Sequence, residues 1–487
     1  MTLVELLSAA PDSSFPPAAS DREIAGISSD SRTVGPGQIF VALRGEKEDG
    51  WAHALEAAAR GAAAVVSDRP APDAFPVPWV RVREPRRVLG QLAARLAGNP
   101  SEKLVLAGVT GTNGKTTTAM LLEGLLARRH GRAGFLGTVA YRTGRREIAA
   151  RHTTPEAPLL QALLAEMVAE GTPAAAMEVS SHALALDRVA GTRFDVAVFT
   201  NLTRDHLDFH GDLDAYFDAK KKLFALRKPG AAAVVNAADP SGRRLAAEVL
   251  PPVVTYSTAS ASASVRGENV VCDLSGTSLD VAHAGGRFRV SSPLLGPFNA
   301  DNLLAASAAG LALGLTEGEI AAGLASVARV PGRLERVVAG QPYTILVDYA
   351  HTEDALERLL RAVSDLTDRR IVLVFGCGGD RDRGKRAPMG RIAGSLADVA
   401  IATSDNPRSE EPEAILAEVE RGLIASGAAN YRKVPDRREA IRTAIGLADP
   451  DTVVVIAGKG HETVQVVGDR ALPFDDREVA AGFASKR

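Results

Sequence analysis

Residues Gly108-Val109-Thr110-Gly111-Thr112-Asn113-Gly114-Lys115-Thr116-Thr117-Thr118 follow an apolar run at 104–107 and precede a helical apolar pattern over 119–129. A buried strand, a glycine loop and a helix N-terminus, in that order, aim backbone N–H groups at a polyphosphate. Lys115 then reaches the β- and γ-phosphates, and the Thr116 hydroxyl sits on Mg²⁺. Five residues separate Gly108 from Gly114-Lys115, so this is a variant of the usual phosphate loop. A plain turn is the bland alternative, and the added Gly-Lys-Thr-Thr argues against it.

Four further polar clusters lie near apolar, strand-like runs: Thr153-Thr154-Pro155, Glu178-Val179-Ser180-Ser181-His182, the segment 200–208 with Asp205 and His206, and 216–224 with Lys220-Lys221-Lys222. Glu178 and His206, with Thr116, offer the oxygen and nitrogen ligands that Mg²⁺ takes beside phosphates. Singly, each has an ordinary reading: a helix cap, a satisfied surface group, a solvated lysine face. Their shared place at strand ends sets them apart.

The elements that must position them repeat as strand, loop and helix. Strand candidates at 39–43, 63–66 and 79–82 alternate with helices at 53–60 and 87–96, and Asn99-Pro100 reads as a linker. Strands at 104–107, 174–178, 196–200 and 232–236 predict a mostly parallel sheet with ligands beyond the strand C-termini. The alternating stretch 256–290 predicts antiparallel hairpins. Helices at 299–313 and from 316 come next. After Val330-Pro331-Gly332, strands at 345–348, 371–375, 399–403 and 453–457 predict a second open sheet. The expected class is α/β in three domains: a small N-terminal α/β domain (1–98), a central P-loop-type mostly parallel sheet with helices (99–329), and a C-terminal Rossmann-like open sheet (330–487).

Composition bounds the function. In 487 residues, 57 Lys and Arg against 59 Asp and Glu leave no basic excess, which argues against nucleic acid or an anionic membrane as partner. The two cysteines, Cys272 and Cys377, lie too far apart in sequence to suggest a disulfide framework or metal site. Residues 1–14 lack a basic, apolar leader, and no run of ~18 apolar residues occurs. A cytoplasmic protein is expected.

Taken together, these segments resemble the Mur ligases, ATP-dependent amide-forming enzymes of peptidoglycan precursor synthesis. The resemblance runs over nearly the whole chain. It is carried by Gly108–Thr118 as that family's own loop variant, Glu178-Val179-Ser180-Ser181-His182, Thr200-Asn201-Leu202, Asp205-His206, Asn299-Ala300-Asp301-Asn302, Gly332-Arg333-Leu334-Glu335 and Val347-Asp348-Tyr349-Ala350-His351. Ser29-Asp30-Ser31-Arg32, 376–386, Asp405-Asn406-Pro407-Arg408 and Gly458-Lys459-Gly460-His461-Glu462 are similar to the type that adds the third stem-peptide residue. Trp51, Glu353 and Ala387-Pro388 depart from that type's pattern and touch no expected catalytic role.

The resemblance implies the following roles. ATP is held by Gly111, Thr112, Asn113, Gly114, Lys115, Thr116 and Thr117, with Asn302 on adenine and Arg333 and Asp348 on phosphate and ribose. Lys115, Lys220, His206 and Glu178 are the catalytic set. Mg²⁺, two ions, is held by Thr116, Glu178, His206 and Lys220, the last carbamylated by CO₂ (N6-carboxylysine) so that a cation becomes an anionic ligand. Ser29, Ser31, Thr153, Thr154, Ser180 and Arg188 hold UDP-N-acetylmuramoyl-L-alanyl-D-glutamate. Arg381, Asp405, Asn406, Pro407, Arg408, Gly458 and Glu462 hold meso-diaminopimelate. A monomer acting on small molecules, with domain closure during turnover, is expected.

With that resemblance, charge points to the incoming amino acid, where the residues alone leave open that Asp405-Asn406-Pro407-Arg408 is a turn with a surface salt bridge. Meso-diaminopimelate differs from lysine by one distal carboxylate, and Arg408 is a planar fork suited to capture it. Asp405 and Glu462 receive the ammonium on the same carbon. With lysine, Arg408 would face an ammonium, a cost of ~2–4 kcal/mol if desolvated. The alternatives are a lysine-adding ligase of the same family, and a P-loop ATPase that makes no amide.

Overall fold

The computed structural model describes residues 1–10, 13–14, 21–45 and 48–485, so positions 11–12 of the 1–14 stretch lie outside the described residues. The chain divides into two compact units. One comprises Met1–Gly267, Val281–Phe288 and Asn302–Leu324; the other comprises Glu268–Asp280, Arg289–Asp301 and Ala325–Arg487.

The first unit holds two sheets. Strands Gly26–Ser28, Gln38–Val41, Ala64–Ser67 and Trp79–Arg81 pair in parallel in chain order. The larger sheet centres on Val105–Thr110, which lies between Ala174–Glu178 and Phe194–Phe199, all parallel. Arg227–Asn236 and Val253–Ser257 extend one side, and Gly134–Leu136 the other, again in parallel. Ala, Val, Leu and Met fill these strands because helices cover both faces and leave no polar side. Registers Val109↔Glu178 and Thr110↔Phe199 bring the loop after residue 110 level with the ends of both neighbours.

Several bounds differ from the sequence reading. The helix after the phosphate loop starts at Lys115, not 119, because its first turn of threonines carries no apolar signal. Arg227–Asn236 begins five residues early, since its Lys-Pro-Gly start reads as a turn. At Asn99-Pro100, read as a linker, Asn99 takes φ 50° and leads into a short turn, Pro100–Glu102. Nor is 256–290 hairpins throughout, because Tyr256–Ser257 pairs in parallel with Val265–Arg266.

The second unit is built on six strands in the order Glu335–Val337, Thr344–Asp348, Thr452–Ala457, Arg370–Cys377, Val399–Ser404, Tyr431–Lys433. The first pairs antiparallel and the rest parallel. One core joins the sheet to helices Glu353–Leu366, Arg386–Leu396 and Pro412–Ala425, and the other to Arg437–Gly446 and Asp476–Ala484. The loops at 349–352, 378–385, 405–411 and 458–463 therefore leave the C-terminal strand ends, where open α/β sheets place their ligands. A hairpin, Val464–Val467 with Arg470–Pro473, follows the last of them. Among the described residues no helix is long and apolar enough to cross a membrane.

Candidate active site

In the first unit the phosphate loop is held from both sides. Thr200 Oγ1 donates to Asn113 O (2.6 Å), Asn113 N donates to Asn201 Oδ1 (2.9 Å), and Thr112 N donates to Asn201 O (2.8 Å). Gly114 takes φ 82°, and a Cβ there would run into Asn302 Oδ1, which also accepts from Thr118 Oγ1 (3.3 Å). Only glycine allows that turn and that approach. Asn302 thus borders the loop. Thr116 and Thr117 are buried in the first turn of the helix, whose leading N–H groups lack helical partners and face an anion favourably.

Glu178, 1 % exposed, ends its strand beside this turn. Thr116 Oγ1 donates to its Oε2 (3.0 Å). Thr138, which sequence reasoning missed, donates through N to Oε1 (2.7 Å) and through Oγ1 to Oε2 (3.2 Å). Thr138 Oγ1 also shares a hydrogen bond with Thr153 Oγ1 (3.0 Å). From there the network continues: Thr154 Oγ1 donates to Glu178 O (2.9 Å) and accepts from Ser180 N (3.0 Å), and Arg188 Nη1 donates to Thr154 O (3.1 Å). The phosphate-loop helix and the residues expected on the peptide substrate are joined through one carboxylate.

Lys115 Nζ donates to Gly111 O (3.0 Å) and Thr112 O (2.8 Å). Lys220, 1 % exposed, donates to the same Gly111 O (2.7 Å), with its Nζ 4.3 Å from the Tyr216 ring centroid. Burial pushes the Lys220 amine well below the usual lysine range and Lys115 pushes the same way, against Asp205. A neutral buried amine is a nucleophile that can take up CO₂. Lys221 instead pairs with Glu248 (2.6 Å).

His206 takes φ 52° at an exposed position and packs edge-on to His182, centroids 4.7 Å apart, within a cluster of His210, Phe209 and Tyr216. Burial and His182 push His210 down to about 4, so it stays a neutral partner of Ser181 Oγ (3.0 Å). Among the described residues no three His, Cys, Asp or Glu side chains converge as a cage. Thr116 and Glu178 do converge, and hard oxygen donors beside a phosphate loop suit Mg²⁺, which keeps much of its shell from water and phosphate.

In the N-terminal sheet region Ser31 Oγ donates to Glu56 Oε2 (3.1 Å), while Ser29 is exposed.

In the second unit Asp348 accepts from Leu334 N (2.8 Å) and Ala350 N (2.9 Å), and Arg333 lies 5.6 Å from the Tyr349 ring centroid. Burial raises the Asp348 carboxyl, against Arg333. The carboxylate therefore ties its strand end to the Gly332 turn. Asp405, Asn406 and Pro407 are buried, and Arg408 takes φ 52° with Nη1 donating to Gly379 O (2.7 Å). A Cβ on Gly378 would lie 3.0 Å from Arg408 Nη1 and 3.7 Å from Arg381 Cγ, so the two arginines flank one glycine. Asp405 Oδ2 is buried without a hydrogen-bond partner, close over Gly458, and Asn406 Nδ2 donates to Glu462 Oε2 (2.9 Å). Burial raises the Asp405 carboxyl, with Arg437 and Lys459 opposing. An unpartnered buried carboxylate oxygen beside Glu462 suits an ammonium. Arg386, fully buried, pins the following loop through Glu410 (2.7 Å).

Comparison with known proteins follows the same plan. The Mur ligase family catalytic domain matches residues 23–96, the Mur ligase middle domain 109–310, and the Mur ligase glutamate ligase domain 332–460. A UDP-N-acetylmuramoyl-L-alanyl-D-glutamate–2,6-diaminopimelate ligase of Geobacter metallireducens is 46% identical, covering 95% of this chain and 94% of its own. One of the same name from Gloeobacter violaceus is 48% identical, covering 96% and 95%. A solved structure of a ligase of that name superposes with a TM-score of 0.74 at 34% identity, covering 100% of this chain and 99% of its own.

Proposed function

This chain belongs to the Mur ligase family of ATP-dependent ligases, and from that premise we propose that it adds meso-2,6-diaminopimelate to UDP-N-acetylmuramoyl-L-alanyl-D-glutamate in cytoplasmic peptidoglycan precursor synthesis. We assign 1–98 to the uridine nucleotide, 99–329 to ATP and 330–487 to the incoming amino acid, in a monomer. The observation that carries the reading is the hydrogen-bonded path from Thr116 through Glu178 and Thr138 to Thr153, which joins a phosphate loop to a peptide-binding set.

A carboxylate resists amines because its leaving group would be oxide. Transfer of the ATP γ-phosphoryl to the glutamyl carboxylate leaves ADP and an acyl phosphate. The amine nitrogen then bonds the carbonyl carbon, phosphate departs with the C–O bond, and the amine loses a proton. Positioning and charge neutralisation supply most of the rate. Lys115 and the loop amides hold the phosphates, Asn302 borders adenine, and Arg333 and Asp348 meet phosphate and ribose. Thr153, Thr154, Ser180 and Arg188 orient the acceptor, with Ser29 and Ser31 on the uridine nucleotide. Mg²⁺ held by Thr116, Glu178 and His206, with carbamylated Lys220 assisting a second ion, would neutralise charge on the transferring phosphoryl. The carbamate forms when the neutral Lys220 nitrogen bonds CO₂ and releases a proton.

Diaminopimelate is favoured over lysine by Arg408, with Arg381 beside it, and by Asp405 and Glu462 for the ammonium. Relatives 46% and 48% identical to this chain are named for that amino acid.

The test is phosphate release from ATP with Mg²⁺ and the UDP-dipeptide, plus either amino acid. Release that requires diaminopimelate, with a product one residue heavier, supports the reading. Equal release with lysine overturns the specificity, and release with neither indicates an ATPase. Arg408→Gln is expected to raise KM for diaminopimelate on the order of 10²-fold, the scale of a lost charge-assisted pair, and to leave KM for ATP unchanged.

A further inference from the structure

Lys459 lies between two glycines in the 458–463 loop and is 0 % exposed. Its Nζ donates to Asn406 Oδ1 (3.1 Å), Glu462 Oε2 (3.1 Å) and Val464 O (2.5 Å). An ammonium has three protons, and all three are taken. Such a group repays its burial through those bonds and has none left for a substrate.

Its partners are the groups that face the amino acid. Asn406 Oδ1 accepts from Lys459 and from Val466 N (2.9 Å), which turns Nδ2 toward Glu462 Oε2 (2.9 Å). The amide thus has one orientation, and Glu462 Oε2 is held by two donors. Burial alone would raise the Glu462 carboxyl, yet Asn406 and Lys459 together bring it below the usual range. Lys459 also ties down the start of the Val464–Val467 hairpin, whose Gln465 Nε2 donates to Asp405 O (2.8 Å) and whose Val466 O accepts from Arg408 N (3.1 Å). One buried cation therefore sits at the junction of every segment that presents Asp405, Asn406, Arg408 and Glu462.

We propose that Lys459 is the positioning residue of the amino-acid site, orienting Asn406 and Glu462 for the distal ammonium and fixing the hairpin against the Asp405–Arg408 segment without touching the substrate. The proposal rests on the diaminopimelate reading above.

The experiment is a full set of constants for wild type, K459M, K459Q, N406A and K459M/N406A, each with its melting midpoint. In wild type, turnover that depends on diaminopimelate upholds the underlying reading; use of another amino acid overturns that reading alone, and the constants are then taken for the acid used. K459M is expected to raise KM for the amino acid about tenfold or more while KM for ATP and for the UDP-dipeptide stay within about twofold. K459Q, which keeps a donor, is expected to fall between. In the N406A background, K459M is expected to add clearly less than it costs alone, because part of its effect passes through the residue already removed. Equal changes in all three KM values, an unchanged KM for the amino acid, or full additivity with N406A would overturn the proposal. A K459Q that fails to fold would do so too, since Lys459 would then be a general structural residue.

Discussion

Lys220→Met is expected to cut kcat by roughly 10²–10³, the scale of one lost charge-stabilising group, while leaving the protein as stable as before or more so. These opposite signs come from one feature. Lys220 is buried and donates to the carbonyl Gly111 O, which also accepts from Lys115. Methionine matches the volume, keeps the contact with Tyr216 and strands no acceptor.

The pH dependence gives the sign independently. The folded amine titrates well below the usual lysine range, which is near ~10.4 in an unfolded chain. Between those two values the unfolded chain holds a proton that the folded chain does not, so Lys220 costs more stability as pH falls through that window. The variant lacks this group, and its advantage is expected to widen toward lower pH until folded Lys220 itself protonates. Urea unfolding at several pH values in CO₂-free buffer, alongside the phosphate-release assay, measures both effects. A variant that loses stability and activity together would mean that Lys220 is held for packing. One that keeps full activity would remove it from the reaction.

What was legible in the sequence was what is contiguous. The Gly111–Thr117 loop could be read because a strand, three glycines, a lysine and a threonine occur together, and the chain needs nothing remote to bend them round a phosphate. Arg408 and Asp405 could be read as a charge pattern within four residues. Thr138 could not be found that way: it sits in an ordinary Leu-Gly-Thr-Val run, and its meaning comes from Glu178, placed beside it by the pairing of Gly134–Leu136 with Ala174–Glu178. Lys459 was in view as part of a motif, but the motif does not say which way its amine faces. Its burial and three filled hydrogen bonds supply that. Singling out Lys220 from its two neighbours required the resemblance to a known family, and its burial supplies the physical reason. The His206 set was legible as types, but its packing with His182 and Tyr216 depends on a left-handed backbone turn that no local pattern announces.

The second large effect is expected at Arg437, which an Asp-Arg-Arg-Glu run presents as a solvated helix start. Arg437 and Asp476 are both fully buried and form a two-pronged pair, Nε to Oδ1 (2.8 Å) and Nη2 to Oδ2 (2.7 Å). Nη2 also donates to Ala457 O (3.0 Å) and Nη1 to Ser404 O (3.5 Å). Those carbonyls end the strands that lead into Asp405 and Gly458. Arg437→Met leaves Asp476 in the core without its partner, at a cost of about 3–5 kcal/mol, and frees both strand ends. Arg437→Met with Asp476→Leu is expected to recover most of that loss, because a buried pair replaced by apolar groups is often near neutral. The double variant should still bind the amino acid poorly. Burial already raises the Asp405 carboxyl and Arg437 is the main opposing charge, so without it Asp405 protonates at higher pH. A lone protonated carboxyl offers an ammonium no charge, and KM for the amino acid should climb more steeply on acidification than in wild type. Chemical unfolding separates the first effect and a KM–pH profile the second. A double variant as unstable as the single one would assign the stabilisation to the two strand-end carbonyls rather than to the ion pair.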